Sequence, residues 1–181
     1  KIIGVGTNSE IMKMTNFVTS IIDLEGRTLL PGFIDTHVHV VGFGFSFESV
    51  DLLSVPSMGA LIERSRDYIK TNCVAQGTWV LGRGYDQNIF KDTIGFPTSK
   101  DLNKISEKHP VLLLRTCGHI GICNDLALKL AGVDSETFVR GGAFDKDDNG
   151  RPNGVIREAA LEWFKKKIAD SRTTVDLKRA I

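Results

Sequence analysis

The sequence predicts an α/β protein: parallel strands alternating with helices, preceded by a small β-layer and interrupted by one hairpin. Three observations carry the prediction. Mostly apolar runs of strand length fall at residues 33–41, 79–82 and 111–115, the kind buried on both faces of a parallel sheet. Segments with helical caps and helical spacing separate them by short links, the order that favours right-handed crossovers. Asp148-Asn149-Gly150, flanked by Ala143-Phe144 and Val155-Ile156, reads as a type I′ turn closing a hairpin over about 141–156.

In chain order, residues 1–5 and 21–30 read as short strands, the second broken by a turn at Asp23-Leu24-Glu25-Gly26-Arg27. Pro31-Gly32 marks a change of character, and the run Phe33-Ile34-Asp35-Thr36-His37-Val38-His39-Val40-Val41 is expected as the first strand of a barrel-type domain. Ser57 caps a helix whose Met58, Leu61, Ile62, Tyr68 and Ile69 share one stripe. Thr98 with Asp101 forms a capping box for a short helix reaching about Ile105. Asn124 starts another helix, which Gly132 stops. After the hairpin a helix is expected from Arg157 to about Ile168, and the start of a further one beyond it.

Composition narrows the function classes. The chain has 181 residues, too few for a complete (β/α)8 barrel, which typically needs roughly 200 to 250. With 23 basic and 22 acidic residues the net charge is +1, and Lys165-Lys166-Lys167 is the longest basic block, so nothing points to nucleic acid. No apolar run approaches the ~18 residues that span a bilayer, and no signal core is visible; a cytoplasmic protein with no membrane partner is expected. Cys73, Cys117 and Cys123 are expected as reduced thiols. The opening Lys1-Ile2-Ile3-Gly4-Val5-Gly6 reads like mid-sheet sequence, and a longer parent protein is expected.

The chemistry-bearing motif lies in the first barrel strand. On a strand, residues two apart share a face, so Asp35, His37 and His39 would project together, presenting two imidazoles side by side. Imidazole is a normal ligand for Zn²⁺ and similar ions, but two such ligands close no site. A chance pair hydrogen-bonded within a core is the plain alternative.

The surrounding residues change that balance. Leu30-Pro31-Gly32-Phe33-Ile34-Asp35-Thr36-His37-Val38-His39 resembles the Pro-Gly-x-Ile-Asp-x-His-x-His signature of the amidohydrolase superfamily. Residues 79–86, Arg115-Thr116-Cys117-Gly118-His119, Asn124-Asp125-Leu126-Ala127-Leu128 and residues 148–158 are similar to its type 3 group, which includes N-substituted formamide deformylase-like enzymes. The resemblance implies a partial TIM (β/α)8 barrel, with residues 1–31 in a small β-sandwich and residues 32–181 forming the first barrel strands and helices. It also implies that His37 and His39 hold a divalent metal, with zinc the expected ion, while a lysine, two histidines and an aspartate lie further along the parent chain. The activity implied is hydrolysis of C–N bonds in small amides by metal-activated water. The general acid or base is expected outside this chain, which alone should be inactive.

Other residues carry weaker signals. His119, after the third core strand, and Tyr85 and Asp86, after the second, have the address of substrate-binding groups at a barrel mouth; each could equally be a loop residue held by backbone. Glu158 reads as a surface or helix-start residue more than a pocket one. Cys117, His119 and Cys123 lack the fourth ligand of a zinc knot. Asp145, Asp147 and Asn149 mimic the start of a calcium loop, but Ile156 stands where its bidentate glutamate belongs. The competing function class is a non-catalytic binding or regulatory module. In either case unpaired strand edges lead to an expected homo-oligomer.

Overall fold

A computed structural model of the chain describes residues 1–38 and 40–171. The chain divides into two compact units, Lys1–Val38 and His39–Ile181. In the first unit the regular structure is a short helix α1 (Asn8–Ile11) continued by a 3-10 turn (Met12–Met14). The Thr7 backbone N–H donates to Glu10 Oε2 at 2.8 Å, which satisfies a donor that the helix start leaves open.

The strands expected over 1–5 and 21–30 do not form. Their apolar residues, among them Ile3, Val5, Ile22 and Leu29, are exposed. Strand propensity alone provides neither a ladder partner for the backbone nor a surface to bury against, and it is weak without both. The turn between them does form: Arg27 N–H donates to Leu24 O at 2.9 Å, with Glu25 and Gly26 both at positive φ. Residues 33–38 also lie outside any strand, with a bend at Thr36-His37. Here the His37 N–H is taken by Asp35 Oδ1 at 2.9 Å, a local bond that competes with strand pairing.

The second unit starts with α2 (Val40–Ser46), so the helical stretch begins where the last residues of a strand were expected. It continues through β1 (Val50–Asp51), α3 (Met58–Thr71), β2 (Val80–Tyr85), α4 (Ser99–Asn103), β3 (Val111–Arg115), β4 (Ile120–Cys123), α5 (Asp125–Ala131), β5 (Gly142–Lys146), β6 (Pro152–Glu158) and α6 (Ala160–Ser171). A 3-10 turn follows β2 at Gln87–Ile89. The sheet order is β1-β2-β3-β4-β6-β5. The first three strands are parallel; β4 reverses against β3, and β6 and β5 complete the antiparallel half.

The caps read from sequence fall where expected. Ser57 Oγ accepts the Ala60 N–H at 3.0 Å, Asp101 Oδ2 accepts the Thr98 N–H at 3.0 Å, and Asn124 Oδ1 accepts the Ala127 N–H at 3.0 Å. Gly132 closes α5 in the left-handed conformation. The hairpin forms, but with a different turn. Asp147 O accepts from Gly150 at 2.9 Å, and Asp147 Oδ1 takes the N–H groups of Asn149 and Arg151, each at 2.9 Å. Gly150 is the turn's residue with positive φ, which excludes type I′ and matches a type I turn followed by a left-handed glycine. Strand β6 also runs through Arg157 and Glu158, where a helix start was expected, and α6 begins at Ala160. The further helix was expected over 169–181; residues 169–171 instead continue α6, and the rest lies outside the described residues.

Alternation along the strands sends side chains into two cores. Val80, Val111, Leu113, Ile122 and Val155 pack with Leu61 of α3 and Leu102 of α4. Leu112, Cys123, Phe144 and Ile156 pack with Leu128 of α5 and Phe164 of α6. Burial on both faces suits parallel strands and accounts for their continuous apolar character. The sheet of the described residues is a six-stranded mixed one with β1 and β5 at its edges. Among the described residues no helix is long and apolar enough to cross a membrane.

A bulge decides one feature that matters for the site. The register between β2 and β3 shifts between Arg83 and Tyr85, around Gly84 at φ +99°. A Cβ on Gly84 would lie 3.0 Å from the Leu53 backbone nitrogen, so only glycine fits. The extra residue resets the alternation and turns Tyr85 into the same core as Val80.

Candidate functional site

The carboxyl ends of β1, β2 and β3 meet at one edge of the sheet, because parallel strands all finish on the same side. The turn after β3 and the end of the antiparallel β6 reach this edge as well, since Ile120 of β4 pairs with Arg157. A cleft of about 770 Å³ opens there, lined by Asp51, Arg83, Arg115, Thr116, Gly118 and, from α6, Lys165. A groove of about 800 Å³ lies instead beside Gln76, Thr78 and Trp79, before β2, and among the described residues Glu48 is the charged one in its lining. Charged groups that could orient a polar ligand therefore concentrate at the carboxyl edge, the usual place for chemistry on parallel strands.

Arg115, the last residue of β3, is mostly buried and held by two acceptors. Its Nη2 donates to Asp86 Oδ1 at 2.9 Å and its Nε to Gln87 Oε1 at 3.0 Å. This charge-assisted pair ties the end of β3 to the turn after β2. Cys117 follows two residues later and is exposed. Desolvation pushes its thiol up, but the Arg115 guanidinium and the backbone N–H groups of His119 and Ile120 outweigh it and hold the thiol below its ordinary value. Cys123 has the opposite environment: it is fully buried under α5 and α6, and desolvation raises its thiol well above normal.

His119 stands in the turn between β3 and β4, with Nδ1 3.0 Å from Glu158 Oε2. The Glu158 backbone N–H donates to the His119 carbonyl at 2.8 Å. Beside this pair Arg157 makes a two-point bond to Asp145, at 2.8 and 2.7 Å, with its guanidinium 4.8 Å from the centre of the Phe96 ring.

Of the substrate-binding candidates read from sequence, the structure thus gives Asp86 to Arg115 and His119 to Glu158. Tyr85 is placed differently. Its ring is fully buried against Phe90, and its hydroxyl has no hydrogen-bond partner among the described residues. Burial pushes that phenol well above its ordinary value, although the charges of Arg115 and Arg157 work the other way. An unpaired buried hydroxyl costs of order 1–3 kcal/mol. Tyr85→Phe is accordingly expected to raise stability by about 1 kcal/mol in urea denaturation; a clear loss would mean that the hydroxyl has a partner.

Sequence reasoning did not single out Arg115 as a site residue, though a charged residue closing the apolar run Leu112-Leu113-Leu114 at a strand's carboxyl end is a usable signal. The Glu158 partnership had no such signal, because it joins residues 39 apart.

The expected metal pair lies partly outside this picture. His37 is exposed at the bend after Asp35, and His39 lies outside the described residues. Because residues 33–38 form no strand, the pleat that was to align the two imidazoles is absent from the described residues. Among those residues no group of three or more His, Cys, Asp or Glu is placed to hold a metal ion. The donor chemistry of two histidines two positions apart nonetheless suits a borderline divalent ion, given further ligands.

Comparison with known proteins bears on these features. A family model described as the amidohydrolase family matches residues 20–181. The chain is 31% identical to the protein LONG AFTER FAR-RED 3 of Arabidopsis thaliana, over 91% of this chain and 30% of that protein. It is 30% identical to the N-substituted formamide deformylase of Arthrobacter pascens, over 86% and 29%, and 31% identical to the exoenzymes regulatory protein AepA of Pectobacterium carotovorum, over 89% and 36%. Its fold is similar to that of a metal-dependent hydrolase from Pyrococcus furiosus, with TM-score 0.60 and 32% identity, over 83% of this chain and 28% of that one. The chain spans about a third of the length of these proteins.

Proposed function

The chain belongs to the amidohydrolase family, and from that premise we propose that the whole protein is a metal-dependent hydrolase of C–N bonds in small, non-peptide amides. The observation that carries this reading is the run Ile34-Asp35-Thr36-His37-Val38-His39, a His-x-His pair inside the matched stretch. Two relatives support its direction: one is named an N-substituted formamide deformylase, the other a metal-dependent hydrolase.

In this reading His37 and His39 hold a divalent ion, with zinc the natural choice for imidazole donors, and residues elsewhere in the whole protein complete its shell. When bound, such an ion supplies carbonyl polarisation and makes water acidic enough to ionise near neutral pH. Asp35, which already holds the backbone at His37, fixes the local turn of the pair. Asp86 and His119 contact the substrate from the carboxyl edge of the second unit, Arg115 orients Asp86 through its hydrogen bond, and the Tyr85 ring seals the floor beneath. The general acid that protonates the leaving amine belongs to another part of the protein. The same reading assigns residues 1–31 to a small β-sandwich and residues 32–181 to part of a (β/α)8 barrel, in a cytoplasmic homo-oligomer.

A second reading has a specific observation behind it. One relative of similar identity, 31%, is named a regulatory protein, which favours a non-catalytic regulatory module that has kept the fold. Metal analysis of the full-length protein separates the two. The hydrolase reading expects stoichiometric divalent metal in the wild type, lost in His37→Ala and in His39→Ala; a metal-free wild type would leave the regulatory reading standing.

A further inference from the structure

Resting on the hydrolase reading, we propose that Glu158 is a positioning residue: it holds His119 as the Nδ1–H tautomer, so that Nε2 offers a lone pair to an N–H group of the substrate.

Glu158 grips His119 at two points. Its backbone N–H donates to the His119 carbonyl at 2.8 Å, and its Oε2 lies 3.0 Å from His119 Nδ1. An ionised carboxylate can only accept, so Nδ1 must carry the proton, and the neutral ring then has its lone pair on Nε2. Among the described residues Nε2 has no hydrogen-bond partner. It is left to accept from a bound molecule, and an amide or amine N–H is the donor that a C–N hydrolase substrate brings.

Both partners sit on rigid backbone. Glu158 pairs with Gly142 in the β5–β6 ladder, and His119 directly precedes β4, whose Ile120 pairs with Arg157. The ring is thus held from an ordered strand end at the same edge as Asp86 and Arg115.

Stability does not account for the arrangement. The two side chains are 70% and 59% exposed, and an exposed pair of this kind contributes at most about 1 kcal/mol. Against that, Glu158 has φ +52°, a left-handed conformation that costs a non-glycine residue of order 1 kcal/mol or more. A glycine would take up this conformation without the strain but would give up the side chain that reaches His119. The carboxylate is therefore the reason for a strained residue here, and His119 is the group it serves.

Long-range ¹H–¹⁵N spectra of the full-length protein test this directly, at a pH about two units above the ordinary ~6.5 of histidine, with His119→Gln to assign the ring. The wild type is expected to show a protonated Nδ1 and a bare Nε2. Glu158→Ala should exchange the two, because an unconstrained neutral imidazole favours the Nε2–H form, while Glu158→Gln, which keeps an acceptor, should retain the wild-type tautomer. An Nε2–H ring in the wild type, or no exchange in Glu158→Ala, overturns the proposal; the wild-type spectrum decides alone if the alanine variant does not fold. Metal content is read on the same samples. Bound metal with an Nε2–H ring sinks this inference and spares the hydrolase reading, whereas an Nδ1–H ring in a metal-free protein upholds the positioning and sinks the hydrolase.

Discussion

Asn124→Ala is expected to destabilise the second unit by about 4 kcal/mol, a large part of the roughly 5–15 kcal/mol that holds a domain folded. The Asn124 side chain is wholly buried and uses all of its hydrogen-bonding capacity. Its Oδ1 accepts the N–H groups of Val111 and Ala127, both at 3.0 Å, and its Nδ2 donates to the carbonyls of Ser106 and His109, both at 2.8 Å. Truncation removes a helix cap, itself about 1–2 kcal/mol, and takes the Asn124 partner from two further buried backbone groups and one half-buried one. Asn124→Asp should be nearly as damaging, since it keeps the acceptor but turns a carboxylate towards two carbonyl oxygens. Urea denaturation of the full-length protein measures both. A loss under about 1 kcal/mol in the alanine variant would show that water or a neighbour replaces the amide, contrary to the packing described.

Gly154→Ala is the second large effect, expected at about 3 kcal/mol or more. Gly154 has φ +97°, and a Cβ there would lie 2.5 Å from the Cys123 carbonyl oxygen and 2.6 Å from the Ser99 nitrogen. Both obstacles are backbone, one on β4 and the other at the first residue of α4, so neither can swing away. Gly150→Ala is the control. It also has positive φ, but nothing lies within 4 Å of the added carbon, and only a conformational cost of about 1 kcal/mol is expected. Calorimetry should therefore rank Gly154→Ala well below Gly150→Ala in melting temperature, and equal losses would refute the close-packing argument.

The parts of the fold that were legible share one property: their causes are local. Ser57, Thr98 with Asp101, Asn124 and Gly132 mark helix ends because each side chain or left-handed residue satisfies backbone groups three or four positions away. The run Val111–Arg115 is a strand with the expected bounds because five successive residues with a continuous apolar core suit a doubly covered sheet. The hairpin was legible for the same reason, although its turn type depended on Asp147 capturing two backbone N–H groups.

The misses have non-local causes. Residues 1–5, 21–30 and 33–38 have strand-forming composition, but in this structure they have no ladder partner. The short β4 was missed because four residues carry too little pattern; pairing on both sides, to β3 and β6, makes it a strand. At the candidate site, the addresses of Asp86 and His119 after strand ends were readable, but Arg115 and Glu158 as their partners were not, because those pairs join residues 29 and 39 apart.

By itself, the sequence determined the α/β class, the caps at Ser57, Thr98, Asn124 and Gly132, the apolar core of β2 and β3 and the His37-x-His39 motif, all of which depend on residue type and short spacing. Only the tertiary structure decided that Gly84 inserts a bulge that buries Tyr85, that the sheet turns antiparallel at β4, and that His119 meets a strained Glu158. The physical reason is that strand pairing and side-chain partnership over tens of residues are set by which surfaces must be buried together, and no local preference encodes that choice.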